Sequence, residues 1–246
     1  MAEEKQSFAI RANIWTLKLT RNWLRIALII LTIYVSLPFA APTLMRLGAT
    51  GIARVIYTVY SPFCHQMAFR SFFLYGEQPV YPRENVPNAG WVPFESYAAK
   101  LDAFDGVDLN TFDLPLISAA RSFLGNDEMG YKVALCERDI FIYLALLTGG
   151  VIYAQPKVRR RLRPVPLWLY VILGLGPIGL DGFSQMLGYP PFNLWEPRET
   201  LPFFRVLTGA IFGLMTAWLG FPYLEETMQD TRRKIEKKLR RKGIPV

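Results

Sequence analysis

The stretch IALIILTIYVSLPFAAPTLM, residues 26–45, contains 20 residues and no charged side chain. An α-helix rises about 1.5 Å per residue, so this stretch is long enough to cross the roughly 30 Å hydrocarbon core of a bilayer. It predicts a transmembrane helix at about residues 23–45, preceded by a cytoplasmic N-terminal segment, residues 1–22. The composition agrees, because 52% of all residues are hydrophobic, which is high for a soluble domain with so many aromatic residues.

Three further apolar stretches predict transmembrane helices at about residues 136–155, 165–187 and 204–224. Lysine and arginine are concentrated just after the first of these, in residues 157–163, and in a basic tail, residues 225–246. Because basic flanks stay in the cytoplasm, we expect both termini there, in a multi-pass protein of the plasma membrane. The net charge of +8 gathers beside the apolar stretches, which argues against nucleic-acid binding.

The chain between the first two predicted spans has a different character. In residues 47–75, Ile52, Val55, Ile56 and Val59 follow helical spacing and predict an amphipathic helix. Residues 76–132 contain no apolar stretch long enough to span, so we interpret them as an extracytoplasmic loop insertion. The predicted fold is therefore an all-α membrane protein, in which residues 23–224 form a bundle of four transmembrane helices with the amphipathic helix and the insertion.

The uncommon polar residues fall at the outer ends of these predicted helices. His65 is the only histidine, and it follows Cys64, one of only two cysteines. Asp181 lies within a predicted span, where an ionised side chain is costly unless it faces a partner or water. These positions predict one polar pocket at the outer leaflet. Its predicted members are Cys64, His65, Gln66, Arg70, Cys136, Arg138, Asp139, Asp181, Gln185 and Arg205.

Four motifs within this set also carry a resemblance. They are Cys64-His65-Gln66, Cys136-x-Arg138-Asp139, Asp181-Gly182-x-x-Gln185 and Arg205-x-x-Thr208-Gly209. In this order they resemble a prokaryotic family of uncharacterised multispanning membrane proteins, a domain of unknown function. The resemblance covers roughly residues 50–75 and 129–220. It implies that these positions belong together, and it implies no activity.

The chemistry of the predicted pocket has three interpretations. In the first, Cys64, His65, Cys136 and Asp181, with Asp139 as the alternative carboxylate, form a mixed sulfur, nitrogen and oxygen site suited to zinc. In the second, Cys64 and Cys136 form a disulfide, which an extracytoplasmic location permits. In the third, both cysteines are unpaired, buried thiols. The sequence leaves all three open.

The function that we favour from the sequence is a non-enzymatic one: a structural or accessory subunit, scaffold or sensor whose outer site is stabilised by metal or a disulfide. The alternative is a membrane-embedded zinc-dependent hydrolase or oxidoreductase, with His65 as the base and Asp181 or Asp139 orienting it. The first is favoured because the sequence contains no G-x-S-x-G, HExxH or Walker motif. It is also favoured because the arginines of the pocket are suited to neutralising nearby carboxylates, those of Asp139, Asp181 and Glu199.

The expected partners follow from the same map. The lipid bilayer surrounds the apolar helices. Gly209 and Gly213 form a small-x-x-x-small pair, which permits a close helix contact, either within the chain or with a partner membrane protein or a second copy of this chain.

Overall fold

The computed structural model describes residues 2–86, 89–189 and 191–245. The helices are α1 (Ala2–Arg46), α2 (Thr50–Tyr60), α3 (Phe94–Ala98), α4 (Leu114–Ser122), α5 (Glu137–Tyr153), α6 (Pro156–Arg161), α7 (Leu167–Leu169), α8 (Gly176–Gly188) and α9 (Pro202–Arg240). The π-helical segment Tyr170–Leu175 joins α7 and α8, and short 3-10 helices occupy Ala68–Arg70 and Asp102–Phe104. The strands are β1 (Ser71–Leu74), β2 (Gly125–Asn126) and β3 (Gly130–Cys136).

Three helical stretches of the described chain are long and apolar enough to cross a membrane: Phe8–Arg46, Leu167–Gly188 and Pro202–Arg240. They correspond to three of the four predicted spans. The remaining one corresponds to α5, which has 17 residues and is shorter than the roughly 20 residues that a span usually needs. The predicted multi-pass architecture is thus found with three candidate spans, and the fourth span stays a prediction.

The predicted terminal segments continue the membrane helices without a break. α1 includes residues 2–22 of the predicted N-terminal segment, and α9 continues through most of the basic tail. The two extensions pack on each other, because Leu17 is buried against Ile235 and Leu239. Arg21 and Glu236 form an ion pair over 2.9 Å beside this contact. One end of the structure is therefore a pair of packed helices beyond the apolar stretches.

The prediction of an all-α fold is wrong in one place, because an antiparallel sheet stands between α2 and α5. Its strand order is β1-β3-β2, and Ser71 pairs with Cys136 while Leu74 pairs with Tyr131. The segment from Val133 to Leu135 is buried and continues directly into the apolar stretch of α5. Such a short apolar run has no periodicity that distinguishes a buried strand from the start of a buried helix.

The predicted loop insertion shares a hydrophobic core with the 3-10 helix and strand β1 that precede it. Phe69, Phe73, Tyr81, Phe94 and Phe104 are buried together. Their rings meet edge to face, for example Phe73 and Tyr81 with centroids 5.0 Å apart, a geometry that aromatic pairs favour. The aromatic residues therefore fold this segment into a small packed unit.

α2 returns along α1 after a short turn. The hydroxyl of Tyr60, the last residue of α2, donates a hydrogen bond to the backbone carbonyl of Tyr34 over 2.7 Å. Tyr34 is 12 residues before the end of α1 at Arg46, about 18 Å along the helix axis. The end of α2, and the Cys64-His65-Gln66 motif that follows it, therefore lie beside the apolar stretch of α1.

Candidate functional site

The chain leaves helical geometry at the Cys64-His65-Gln66 motif. Gln66 has a left-handed backbone, with φ +52°. Its side-chain amide donates hydrogen bonds to the carbonyls of Tyr57 (2.9 Å) and Ala134 (2.8 Å). Consecutive side chains on a helix point about 100° apart, so this extended turn is what allows Cys64 and His65 to border the same cavity.

A buried lysine fixes this turn from the other side. Lys132 on β3 has no exposed surface, and its Nζ donates to the carbonyls of Gln66 (2.7 Å) and Arg121 (2.6 Å). Burial lowers the pKa of Lys132 to about 7. Arg121 lies in the last turn of α4, where a helix presents free carbonyls that favour a cation. The lysine therefore joins the packed insertion to the motif.

Cys64, Cys136 and Asp139 meet at one point. The Sγ of Cys64 accepts hydrogen bonds from the backbone N–H groups of Gln66 (3.3 Å) and Cys136 (3.2 Å). The Cys136 thiol donates to Oδ2 of Asp139 over 3.0 Å. The ligand atoms of the three residues lie within 4.8 Å of one another, and both cysteines are free thiols. This group could hold a metal ion.

The two other predicted ligands are placed differently. His65 is exposed and borders the same cavity, but it is outside the three-residue group. The carboxylate of Asp181 pairs with Arg138 and accepts a hydrogen bond from Thr200 over 2.5 Å. Asp139 is therefore the carboxylate that lies beside the cysteines, and Asp181 is occupied by other partners.

A cavity of about 520 Å³ extends from the two cysteines between the helices and the insertion. Among the predicted pocket residues its wall contains Cys64, His65, Gln66, Arg70, Cys136, Arg138, Asp139, Gln185 and Arg205. Met67, Phe112, Ile117, Gly182, Met186 and Tyr189 complete it. Asp181 is the predicted member that does not line this wall, although its neighbour Gly182 does.

Glu199 is the centre of the main ion network; the sequence indicated it as a partner of the arginines but not as a member of the pocket. Its carboxylate pairs with both Arg70 and Arg205 and accepts a hydrogen bond from the Tyr189 hydroxyl over 2.7 Å. Burial alone would raise the pKa of Glu199, but the charges of Arg70 and Arg205 outweigh it and hold the value at about 2. Glu199 follows a turn rich in proline and aromatic residues, and nothing local marks it as buried.

Glu137 is the second acidic residue that the sequence pattern missed. Its side chain is 1% exposed, and it occupies the unspecified position of the Cys136-x-Arg138-Asp139 motif. In the described part of the chain, its Oε2 and the Nε atoms of Arg138 and Arg205 are buried without a hydrogen-bond partner. Its position between two motif residues was the available signal.

Comparison with known proteins agrees with the membrane assignment. Residues 118–219 match a family model described as "Predicted membrane protein (DUF2085)". An uncharacterized protein of Methanocaldococcus jannaschii is 25% identical over 211 residues, which cover 84% of this chain and 94% of that relative. No solved structure matches this chain. The predicted resemblance to an uncharacterised membrane family is confirmed, and the match with the family model includes three of the four motifs but not Cys64-His65-Gln66.

Proposed function

We propose that this membrane protein holds a zinc ion through Cys64, Cys136 and Asp139, and that it acts as a metal-stabilised accessory subunit, scaffold or sensor. The observation that carries the proposal is the convergence of these three donors within 4.8 Å. Thiolate and carboxylate ligands of this kind suit zinc. The donors come from the turn after α2, the end of β3 and the first turn of α5. A bound ion would therefore tie three segments together.

His65 is the fourth ligand in this proposal. It follows Cys64 directly and borders the same cavity, and the proposal requires its side chain to turn toward the thiols. Four protein ligands would close the coordination shell and give a structural site. With a water molecule in place of His65, the same site would be open.

The membrane orientation is part of the same proposal. We take α5 as a fourth span, supported by its packing along α9 and by its end at Tyr153, which stacks on Phe221 with ring centroids 5.8 Å apart. Four spans place both termini on one side. The basic residues of α6 and of the end of α9 favour the cytoplasm of the cell. The cysteines then lie toward the outer leaflet.

A non-enzymatic role is supported by the ion pairs of the pocket, in which the arginines are paired with carboxylates. Arg70 and Arg205 pair with Glu199, and Arg138 pairs with Asp181. Within the described residues, the hydrogen bonds of Asp139 and Asp181 involve Cys136, Arg138, Gln185 and Thr200. The rival function is a membrane-embedded zinc-dependent hydrolase or oxidoreductase. The observation that favours it is the cavity of about 520 Å³ beside the thiols, which has room for a substrate.

Elemental analysis of the purified, full-length protein tests the proposal. Prepared without chelators and under mild reduction, the protein should contain stoichiometric zinc, and Cys64→Ser, Cys136→Ser and Asp139→Asn should each lower the zinc content. Asp105→Asn, at an exposed aspartate of the insertion, is the control and should keep it. Absence of zinc, together with a Cys64–Cys136 crosslink in mass spectrometry of protein prepared without reductant, would show that the two cysteines form a disulfide and not a metal site.

Cobalt substitution separates the two roles of the metal. The absorption spectrum of a closed tetrahedral site should not change when small anions are added, because four protein ligands leave no open position. A spectrum that responds to azide or cyanide would favour the enzyme. The His65→Ala variant provides the matched open site for comparison.

A further inference from the structure

We propose that a groove on α1, at the end of the bundle near the two termini, binds one phospholipid with an anionic headgroup. The groove has a volume of about 530 Å³ and is separate from the cysteine site. The residues that carry the inference are Arg21, Arg25, Leu28, Ile29, Ile33 and Arg159. Five of these six lie on α1, and they divide into a cationic end and an apolar end.

The cationic end carries an excess of positive charge. Glu236 is shared by Arg21 and Arg232, at 2.9 and 3.0 Å, and Nε and Nη2 of Arg159 donate to Glu225, at 3.0 and 2.5 Å. Within the described chain, Arg25 forms no ion pair, and its side chain is exposed. This excess of at least one positive charge suits the negatively charged phosphodiester of a lipid headgroup.

The apolar end begins one helical turn further along α1. Leu28, Ile29 and Ile33 follow Arg25 at spacings of three, four and eight residues, which keeps them on the same helix face. Ile29 and Ile33 are 53% and 55% exposed. Arg25 is also the last charged residue before the uncharged stretch 26–45. The change from cation to hydrocarbon therefore occurs at the membrane boundary of this helix.

A cationic end followed by an apolar end along the groove fits a phospholipid better than a soluble anion. A phospholipid carries a phosphate at the membrane boundary and acyl chains that run into the hydrocarbon core, and basic pockets between membrane helices bind such headgroups. From Arg25 to Ile33 the helix rises about 12 Å, which is enough for the headgroup linkage and the first part of one acyl chain. A soluble phosphate would occupy only the arginine end and leave the apolar trough empty.

Native mass spectrometry of the full-length protein with added lipid tests the site. Phosphatidylglycerol and phosphatidylcholine with the same acyl chains are compared. The wild type should retain phosphatidylglycerol preferentially, and Arg25→Ala should lower that retention about fivefold, the effect expected of one surface arginine. Arg25→Lys should restore most of it. Arg54→Ala removes another exposed arginine, on α2 and away from the groove, and should change nothing.

A second pair of variants tests the acyl trough. Ile33→Trp should fill the trough and reduce retention of phosphatidylglycerol. Ile30→Trp, at a neighbouring position that is 60% exposed but does not line the groove, should not. The proposal is overturned if Arg25→Ala binds both lipids as the wild type does, or if the two tryptophan variants behave alike. Displacement of the lipid by glycerol phosphate alone would also overturn it, because the acyl chain would then contribute nothing.

Discussion

The backbone N–H of Cys136 donates a hydrogen bond to the sulfur of Cys64 over 3.2 Å, although the two residues are 72 positions apart in the chain. The same sulfur accepts a second backbone hydrogen bond, from Gln66 at 3.3 Å. These two hydrogen bonds hold the sulfur where the turn after α2 meets the end of β3. The backbone around Cys64 thus fixes the position of a ligand that the proposed zinc site requires.

The two candidate carboxylate ligands should respond differently to substitution. Asp139→Asn should weaken zinc binding by at least about tenfold, because it removes a ligand. Loss of a residue that only supports a ligand typically weakens metal binding by about tenfold or more, and loss of the ligand itself should have a larger effect. Asp181→Asn should leave zinc affinity nearly unchanged, since its carboxylate is engaged by Arg138 and Thr200. Competition titration with a chromophoric chelator measures both. If Asp181→Asn is the variant that loses zinc, the proposed ligand set is incorrect.

Replacing Glu199 should destabilise the protein strongly. Glu199→Gln leaves the guanidinium groups of Arg70 and Arg205 without their anionic partner, and breaking such a buried pair typically costs about 3–5 kcal/mol. Thermal unfolding in detergent at neutral pH would show a lower midpoint. Glu196→Gln, at an exposed position in the same turn, is the matched control. Equal midpoints for the two variants would contradict a stabilising role of the network.

Glu199 should also make the free energy of unfolding depend on pH in the acidic range. Its pKa is about 2 in the fold against an ordinary value of 4.5, so the unfolded chain binds the proton more readily. The stabilisation is fully present above about pH 4.5 and is lost as the pH falls toward 2. In Glu199→Gln this part of the acid sensitivity should be missing. Unfolding midpoints measured across that range for wild type and variant give the comparison, and parallel curves would contradict the prediction.

Lys132 should control how well the Cys64-His65-Gln66 turn is held. Lys132→Met leaves the carbonyls of Gln66 and Arg121 without their donor, at a cost of about 1–3 kcal/mol for each buried group. We expect a lower unfolding midpoint and faster reaction of the Cys64 thiol with a soluble disulfide reagent. Lys100→Met, at an exposed lysine, should change neither. An unchanged thiol reaction rate would show that the turn is held by other contacts.

Gly213 and Gly220, on one helix, should give opposite results. A Cβ at Gly213 would stand 2.2 Å from the carbonyl oxygen of Ile142, and one at Gly209 would stand 2.6 Å from that of Arg138. The small-residue pair is thus used within the chain, against α5, which is one of the two kinds of contact that the sequence left open. Gly213→Ala should destabilise by about 3 kcal/mol or more, since overpacking against backbone cannot relax easily.

The control for this contact is Gly220→Ala, because nothing lies within 4 Å of a Cβ at that position. It should be neutral or stabilising by up to about 1 kcal/mol through helix propensity. Thermal unfolding and gel filtration of the two variants measure the difference. A well-folded Gly213→Ala protein that changes its oligomeric state would instead indicate that the glycine surface is a contact between subunits.

The orientation can be tested with introduced cysteines. In a chain with both native cysteines changed to serine, Ser122→Cys in the insertion should react with a membrane-impermeant maleimide on intact cells. Lys242→Cys in the tail should react only after permeabilisation. The reverse pattern would move the cysteine site to the cytoplasmic side. Equal labelling of both cysteines in intact cells would place them on the same side of the membrane. An even number of spans would then separate them, so α5 would not span.

The sequence by itself determined the membrane character and which polar residues share a region. These depend on local properties, namely the length of an uncharged run and its basic flanks, because lipid excludes charge from any segment regardless of the rest of the fold. Only the tertiary structure showed the strand before α5, the hydrophobic core of the insertion and the ion-pair partner of each charged side chain. Arg138 and Asp181 are 43 residues apart, and Arg70 and Glu199 are 129 apart. Helical spacing gives the face on which a side chain lies, but only the packing of distant segments determines whether Asp139 or Asp181 meets the thiols and which acid each arginine reaches.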